Sequence, residues 1–78
     1  MLNERKADNV KMKRYTLVLV CGEKIEDLSY CPVEVYLRRL ASERFILCED
    51  GLGGQTIVAV DTISYVDVEE LDNAKSDV

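Results

Sequence analysis

This chain of 78 residues is 47% hydrophobic and carries a net charge of −5, a normal balance for one folded domain that excludes extensive disorder. A chain this short buries only about 60% of its unfolded surface, so association with another copy would help to stabilise it. No apolar run approaches the ~20 residues of a membrane span, so we expect no membrane partner. The three cysteines lack paired spacing, which suits a reducing compartment, and we expect a cytoplasmic protein.

The charges are unevenly distributed along the chain. Residues 1–14 carry five basic and two acidic side chains, a balance of +3, whereas residues 15–78 carry five basic and thirteen acidic ones, a balance of −8. An acidic body repels a phosphate backbone, so nucleic acid is the less favoured partner. We predict a flexible N-terminal extension over 1–13, with Met12 as a candidate natural start, a single α+β domain over 14–68, and an acidic flexible tail over 69–78.

The first half of the chain predicts two strands and one helix. Residues 15–21 are apolar on both faces, which indicates a central strand, and the charged run 24–28 suits a short edge strand. The helix is predicted over 29–42, because Pro32 fits the first helical position and five apolar residues recur at helical spacing. We expect these five to form one buried stripe: Val33, Tyr36, Leu37, Leu40 and Ala41.

The second half predicts three β-rich runs, at 45–49, 56–60 and 63–68. Both faces of the first two are largely apolar, whereas a strand with one wet face alternates apolar and polar residues. The fold class is therefore α+β, in the order ββαβββ, with a small antiparallel sheet of four to five strands and one helix packed on one face. The helix leaves the other face uncovered, so we expect a second copy to cover it in a homo-oligomer.

The only basic cluster in the predicted domain is formed by Arg38, Arg39 and Arg44. Such a cluster is typical of an anion site, although cations near the end of a helix also complement its dipole. Tyr36 lies nearby and is a candidate for stacking on a nucleotide base. These four residues are the first part of a predicted ligand-binding site.

Gly51, Gly53 and Gly54 form the second part of that site. Their loop could hold an anion with backbone N–H groups, or it could be a hairpin loop without a ligand. It leads into a strand, whereas phosphate loops of the familiar kinds lead into a helix, so a catalytic phosphate loop is excluded.

Enzymatic chemistry has little support in the sequence. The chain has no histidine, which removes the commonest general base and the nucleophile systems that depend on it. Glu49, Asp50 and Asp61 are the carboxylates that could pair at strand ends, for acid–base work or for a divalent ion. We predict no catalytic residue, no resident metal and no cofactor.

The leading hypothesis is a non-enzymatic, small oligomeric binding protein that binds or sequesters a host protein or a small anionic ligand such as a nucleotide. A phage or mobile-element origin suits such a compact acidic chain without catalytic motifs. One alternative is a single-stranded nucleic-acid-binding protein with an oligomeric β-surface. The other is a metal-dependent enzyme with paired carboxylates.

Overall fold

The computed structural model of this chain describes residues 11–71. Five strands and one helix follow one another in the predicted order ββαβββ, so the α+β class is confirmed. The elements are β1 (Lys13–Leu19), β2 (Lys24–Ser29), α1 (Val33–Ser42), β3 (Phe45–Glu49), β4 (Gln55–Ala59), a 3₁₀ turn (Val60–Thr62) and β5 (Ile63–Glu70).

The strands form two antiparallel sheets, and the prediction of a single sheet is wrong in this respect. One sheet has the order β2-β1-β5 and the other consists of β3 and β4. Strands β2 and β3 are neighbours, but the Glu49 N–H donates to the Asp27 carboxylate at 3.0 Å and not to a backbone carbonyl of β2. A side chain therefore takes a place where a continuous sheet would have a ladder hydrogen bond.

The core lies between the inner faces of the two sheets and is closed by α1. Alternation along each strand sends every second side chain inward. The buried members of the core are Tyr15 and Leu17 of β1, Tyr36 of α1, Ile46 and Cys48 of β3, and Val58 of β4. The outward side chains of β3 and β4 are not covered: Phe45 is 59% and Ile57 is 70% exposed. The apolar outer face expected from the sequence is therefore open in a single copy.

The helix is shorter than predicted and less buried. It begins at Val33, after Pro32, and it ends at Ser42. Of the predicted stripe, Tyr36 is buried and Leu40 is half-buried, whereas Val33, Leu37 and Ala41 are exposed. The Tyr36 ring stacks on the Tyr15 ring with centroids 3.7 Å apart, and Leu40 packs against the same core, so the helix meets the sheet through these two side chains. Within residues 11–71 no helix is long and apolar enough to cross a bilayer.

Strand β5 runs two residues into the segment predicted as an acidic tail. Glu69 forms a 2.8 Å ion pair with Arg14 of β1, and Glu70 lies 3.8 Å from the amine of Lys13. Cross-strand charge pairs of this kind support strand pairing, which the isolated acidic sequence does not reveal. Lys13, predicted as the last residue of the flexible extension, likewise belongs to β1. Residues 1–10 and 72–78 of the predicted extension and tail lie outside the described residues.

Candidate functional site

An open apolar groove lies between α1 and β5. It has a volume of about 140 Å³, and its floor is formed by the two stacked tyrosines. Its lining consists of Tyr15, Val33, Tyr36, Leu37, Leu40, Val66 and Val68. Leu40 and Val66 also pack against the core, whereas Val33, Leu37 and Val68 are exposed along the groove.

Both sides of the groove follow from local structure. Val66 and Val68 lie opposite Leu17 and Tyr15 in the strand register, which places them on the inner face of the sheet. On the helix, Leu37 follows Tyr36 by one position and is 63% exposed. The sequence pattern includes Leu37 in the buried stripe, because helical spacing alone does not show where a core ends.

Charged side chains flank the residues that line the groove. Glu34 lies in the first turn of α1, next to Val33. Lys13 lies two residues before Tyr15 and Glu70 lies two residues after Val68, on the same face of the sheet. They face each other in the strand register and form the 3.8 Å ion pair. The groove is thus apolar inside, and two carboxylates and one amine belong to residues adjacent to its lining.

A second apolar surface is the outer face of β3–β4, defined by Phe45, Leu47 and Ile57. Leu47 lies directly opposite Ile57 in the hairpin register, and Phe45 is two residues away along β3. Side chains in these positions contact one another across a strand pair. They form a continuous apolar patch on the opposite side of the hairpin from the core.

Tyr36 does not offer a free ring face for stacking on a nucleotide base, as the sequence suggested. It is only 1% exposed, and its hydroxyl donates a 2.8 Å hydrogen bond to Asp27. Burial, followed by this hydrogen bond and the Asp27 charge, raises the pKa of the Tyr36 hydroxyl far above its usual value. The guanidinium of Arg39 lies 5.5 Å from the ring centroid, so the ring already has Tyr15 and Arg39 as neighbours.

Only one of the three arginines of the predicted anion site lines the cleft between β2 and β3. Arg39 lines a cleft of about 240 Å³ between β2 and β3, which also contains Asp27 and Glu49, whereas Arg38 and Arg44 do not line it. The Arg39 Nε also lies 3.9 Å from the Glu43 carboxylate. A cleft that contains two carboxylates is unfavourable for an anion.

The glycine loop is closed by its own aspartate. Asp50 Oδ1 accepts the N–H groups of Leu52 at 2.7 Å and of Gly54 at 3.0 Å. Gly51 and Gly53 have φ values of +84° and +96°, which suit glycine and turn the backbone around this carboxylate. Two of the loop's backbone N–H groups are therefore already bonded, among them that of the predicted ligand-binding residue Gly54. An aspartate at the start of a glycine-rich turn is the signal that predicts this arrangement.

A cleft of about 310 Å³ lies beside the glycine loop. It is lined by Glu49, Gly51, Gly53, Gly54 and Gln55, so the three predicted glycines do share one surface. Its only ionisable lining residue is an acid, and the second acid of the loop, Asp50, holds the loop amides. The arrangement suits a cation or a neutral group better than an anion.

The carboxylates that could have formed a catalytic pair are separated. Glu49 and Asp50 lie at the loop end of the β3–β4 hairpin, and Asp61 lies in the 3₁₀ turn at its other end. Within residues 11–71 no three side chains of the metal-ligating kinds come together. Burial, together with the Asp27 charge, raises the pKa of the Cys48 thiol to about 11, so this thiol is neutral at physiological pH.

Comparisons with protein-family models, with curated protein sequences and with solved structures found no match to this chain. Its function is therefore inferred from its own surfaces. The surfaces described above, all within residues 11–71, are two apolar patches and two clefts that contain carboxylates.

Proposed function

We propose that this chain is a non-enzymatic binding protein that holds an apolar segment of a protein partner in the groove between α1 and β5. The observation that supports this most strongly is the exposure of Leu37, a large apolar side chain that is 63% accessible beside Val33 and Val68. Single exposed apolar residues are common on protein surfaces, but contiguous ones that line a groove mark an interaction site. Binding of this kind is sufficient to sequester a host protein without any chemistry.

The charges around the groove favour a basic partner. Glu34 is the chain neighbour of the lining residue Val33, Glu70 follows Val68 with Lys13 as its ion-pair partner, and the chain carries a net charge of −5. Electrostatic attraction accelerates the encounter with a segment of opposite charge and disfavours acidic competitors. The partner we propose is therefore an amphipathic segment with large apolar side chains and flanking Lys or Arg residues.

A small anion or a nucleic acid is less well supported. The cleft beside Arg39 includes Asp27 and Glu49, and two amides of the glycine loop, those of Leu52 and Gly54, are bonded to Asp50. An incoming phosphate would have to displace a carboxylate or approach two of them. The separation of Asp50 from Asp61 likewise gives no support to a metal-dependent enzyme.

A peptide selection tests the proposal. Peptides are selected from a random display library on the wild-type chain, and their affinities are measured calorimetrically for Leu37→Lys and Leu52→Lys. Leu52 is 90% exposed in the glycine loop and serves as the matched control. We expect apolar peptides with basic flanks that lose at least tenfold affinity for Leu37→Lys and keep it for Leu52→Lys. Peptides that bind Leu37→Lys as tightly as wild type would overturn the proposal.

A further inference from the structure

Strand β4 forms a free edge within the part of the chain that the structure describes. It pairs with β3 on one side, and the sheets show no strand on its other side. An unpaired edge presents a row of N–H and C=O groups that can pair with another chain. Charged residues and prolines usually protect such an edge. Strand β4 has the sequence Gln-Thr-Ile-Val-Ala and contains neither.

The hydrogen bonds of the hairpin show which backbone groups face this edge. The Val60 N–H donates to the Arg44 carbonyl at 2.9 Å, which fixes the phase of the antiparallel ladder. Hydrogen-bonded pairs then recur at every second residue. In the register of the β3–β4 hairpin this phase directs the backbone groups of Thr56 and Val58 toward β3.

The alternate residues of β4 therefore direct their backbone groups outward. These residues are Gln55, Ile57 and Ala59, with Ile57 at the centre. The Ala59 carbonyl accepts the Thr62 hydroxyl at 2.7 Å on this outward side and has a second lone pair for another donor. The open edge is thus centred on Ile57, whose side chain belongs to the apolar outer face of β3–β4.

We propose that a second copy of this chain pairs with β4 in the antiparallel direction, with Ile57 opposite Ile57 of the second copy. This pairing joins the two β3–β4 hairpins into one four-stranded sheet. Because the pairing is two-fold symmetric, one edge provides the donors and acceptors that the other needs. The outer faces then form one apolar stripe, in which Leu47 and Ile57 of each copy are neighbours.

Charge explains why a copy would choose β4 and not the outer edge of β5. Each copy carries a net charge of −5, so acidic surfaces of two copies repel each other. Strand β5 presents Asp67, Glu69 and Glu70, whereas β4 presents no charge. Like charges directly opposite each other destabilise strand pairing. The uncharged edge is therefore the one that can pair with itself.

Charge exchange at Ile57 tests this geometry. The mass of the full chain in solution is measured by sedimentation equilibrium for wild type, Ile57→Lys, Ile57→Glu and an equal mixture of the two variants. We expect a wild-type dimer, a monomer for each variant alone, and a dimer for the mixture, because opposite charges then face each other. A monomeric wild type, or variants that dimerise separately as wild type does, would overturn the proposal.

Two further variants separate strand pairing from contact between apolar side chains. Ile57→Pro removes an outward N–H and leaves the bonds to β3 intact, so we expect a folded monomer by circular dichroism and sedimentation. An Ile57→Pro dimer as tight as wild type would contradict strand pairing. Leu37→Lys lies in the groove, and we expect it to dimerise normally. If Leu37→Lys is monomeric, the groove and not β4 is the interface.

Discussion

The Tyr36 hydroxyl donates a 2.8 Å hydrogen bond to one oxygen of the buried Asp27 carboxylate, and the other oxygen accepts the Glu49 N–H at 3.0 Å. A single side chain of β2 thereby connects the helix and the second sheet. Burial of a carboxylate is costly unless its oxygens are hydrogen-bonded, and here each oxygen has a donor. Asp27 is therefore the polar link between the two halves of the core.

Replacement of Tyr36 by Phe is expected to destabilise the chain by about 1–3 kcal/mol, because one oxygen of a buried carboxylate loses its donor. The free energy of unfolding is measured by urea titration. Tyr30→Phe is the matched control, since Tyr30 is 57% exposed and its hydroxyl is accessible to water. Equal stability of the two variants would show that Asp27 does not depend on this hydrogen bond.

Stability is expected to fall at alkaline pH. Burial raises the pKa of the Cys48 thiol from 9.0 to about 11, so the unfolded chain releases this proton first. The stability that the protonated Cys48 thiol contributes is complete below pH 9 and is lost as the pH rises to about 11. It amounts to about 2–3 kcal/mol. The raised pKa of Tyr36 acts in the same direction above pH 10.

The measurement is the free energy of unfolding under reducing conditions at several pH values from 7 to 11. In Cys48→Ala the loss of stability with pH should be smaller than in wild type, although the variant is less stable at pH 7. The control is Cys21→Ala, because Cys21 is exposed, and we expect its pH dependence to match wild type. A wild-type stability that is constant from pH 7 to 11 would contradict the prediction.

The sequence predicts the strands well where a short run of β-rich, apolar residues defines them. The bounds of β3 agree with the predicted run 45–49, and β4 differs from its predicted run by one residue at each end. The start of the helix is misplaced by four residues, because Ser29 belongs to β2 and its hydroxyl accepts the Cys31 N–H at 3.0 Å. That local hydrogen bond competes with helix formation.

The candidate site is less predictable than the fold. Leu37 and Tyr36 both belong to the same apolar stripe, and only the packing of Tyr36 on Tyr15 decides that one is buried and the other exposed. The two-sheet arrangement depends on contact between Asp27 and Glu49, which are 22 residues apart. Periodicity carries no information about such contacts. The closure of the glycine loop by Asp50 is local, by contrast. An aspartate just before a glycine-rich turn is a sequence signal that predicts this hydrogen bonding.

A double-mutant cycle tests the closure of the glycine loop. A Cβ atom added at Gly54 would lie 2.5 Å from Asp50 Oδ2, so Gly54→Ala must displace the carboxylate that holds the loop. We expect a cost of about 1–2 kcal/mol in wild type and almost none in an Asp50→Ala background. The free energy of unfolding is measured for all four chains.

Gly53→Ala is the control for this cycle. Gly53 has a φ of +96° and no heavy atom within 4 Å of an added Cβ. Its cost arises from the backbone alone, about 1–2 kcal/mol, and should be the same with and without Asp50. An additive Gly54→Ala cost would mean that Asp50 does not close the loop.

The last prediction separates the groove from the arginine cluster. A triple variant with Arg38, Arg39 and Arg44 replaced by Ala should bind the selected peptides within a few fold of wild type, because none of these side chains lines the groove. Removal of three positive charges makes the chain more acidic, so affinity for a basic peptide should rise slightly at low salt and be equal at high salt. Peptide affinity is measured calorimetrically at both salt concentrations.

The same triple variant is compared with Leu37→Lys for binding of a nucleoside triphosphate as an anionic probe. If the groove is the binding site, wild type binds peptide and not the probe, and only Leu37→Lys loses affinity for the peptide. If instead wild type binds the probe and the triple variant does not, the arginines form the functional site. We do not expect this second outcome, because the cleft beside Arg39 also contains Asp27 and Glu49. An anionic probe that approached the guanidinium would also approach these two carboxylates.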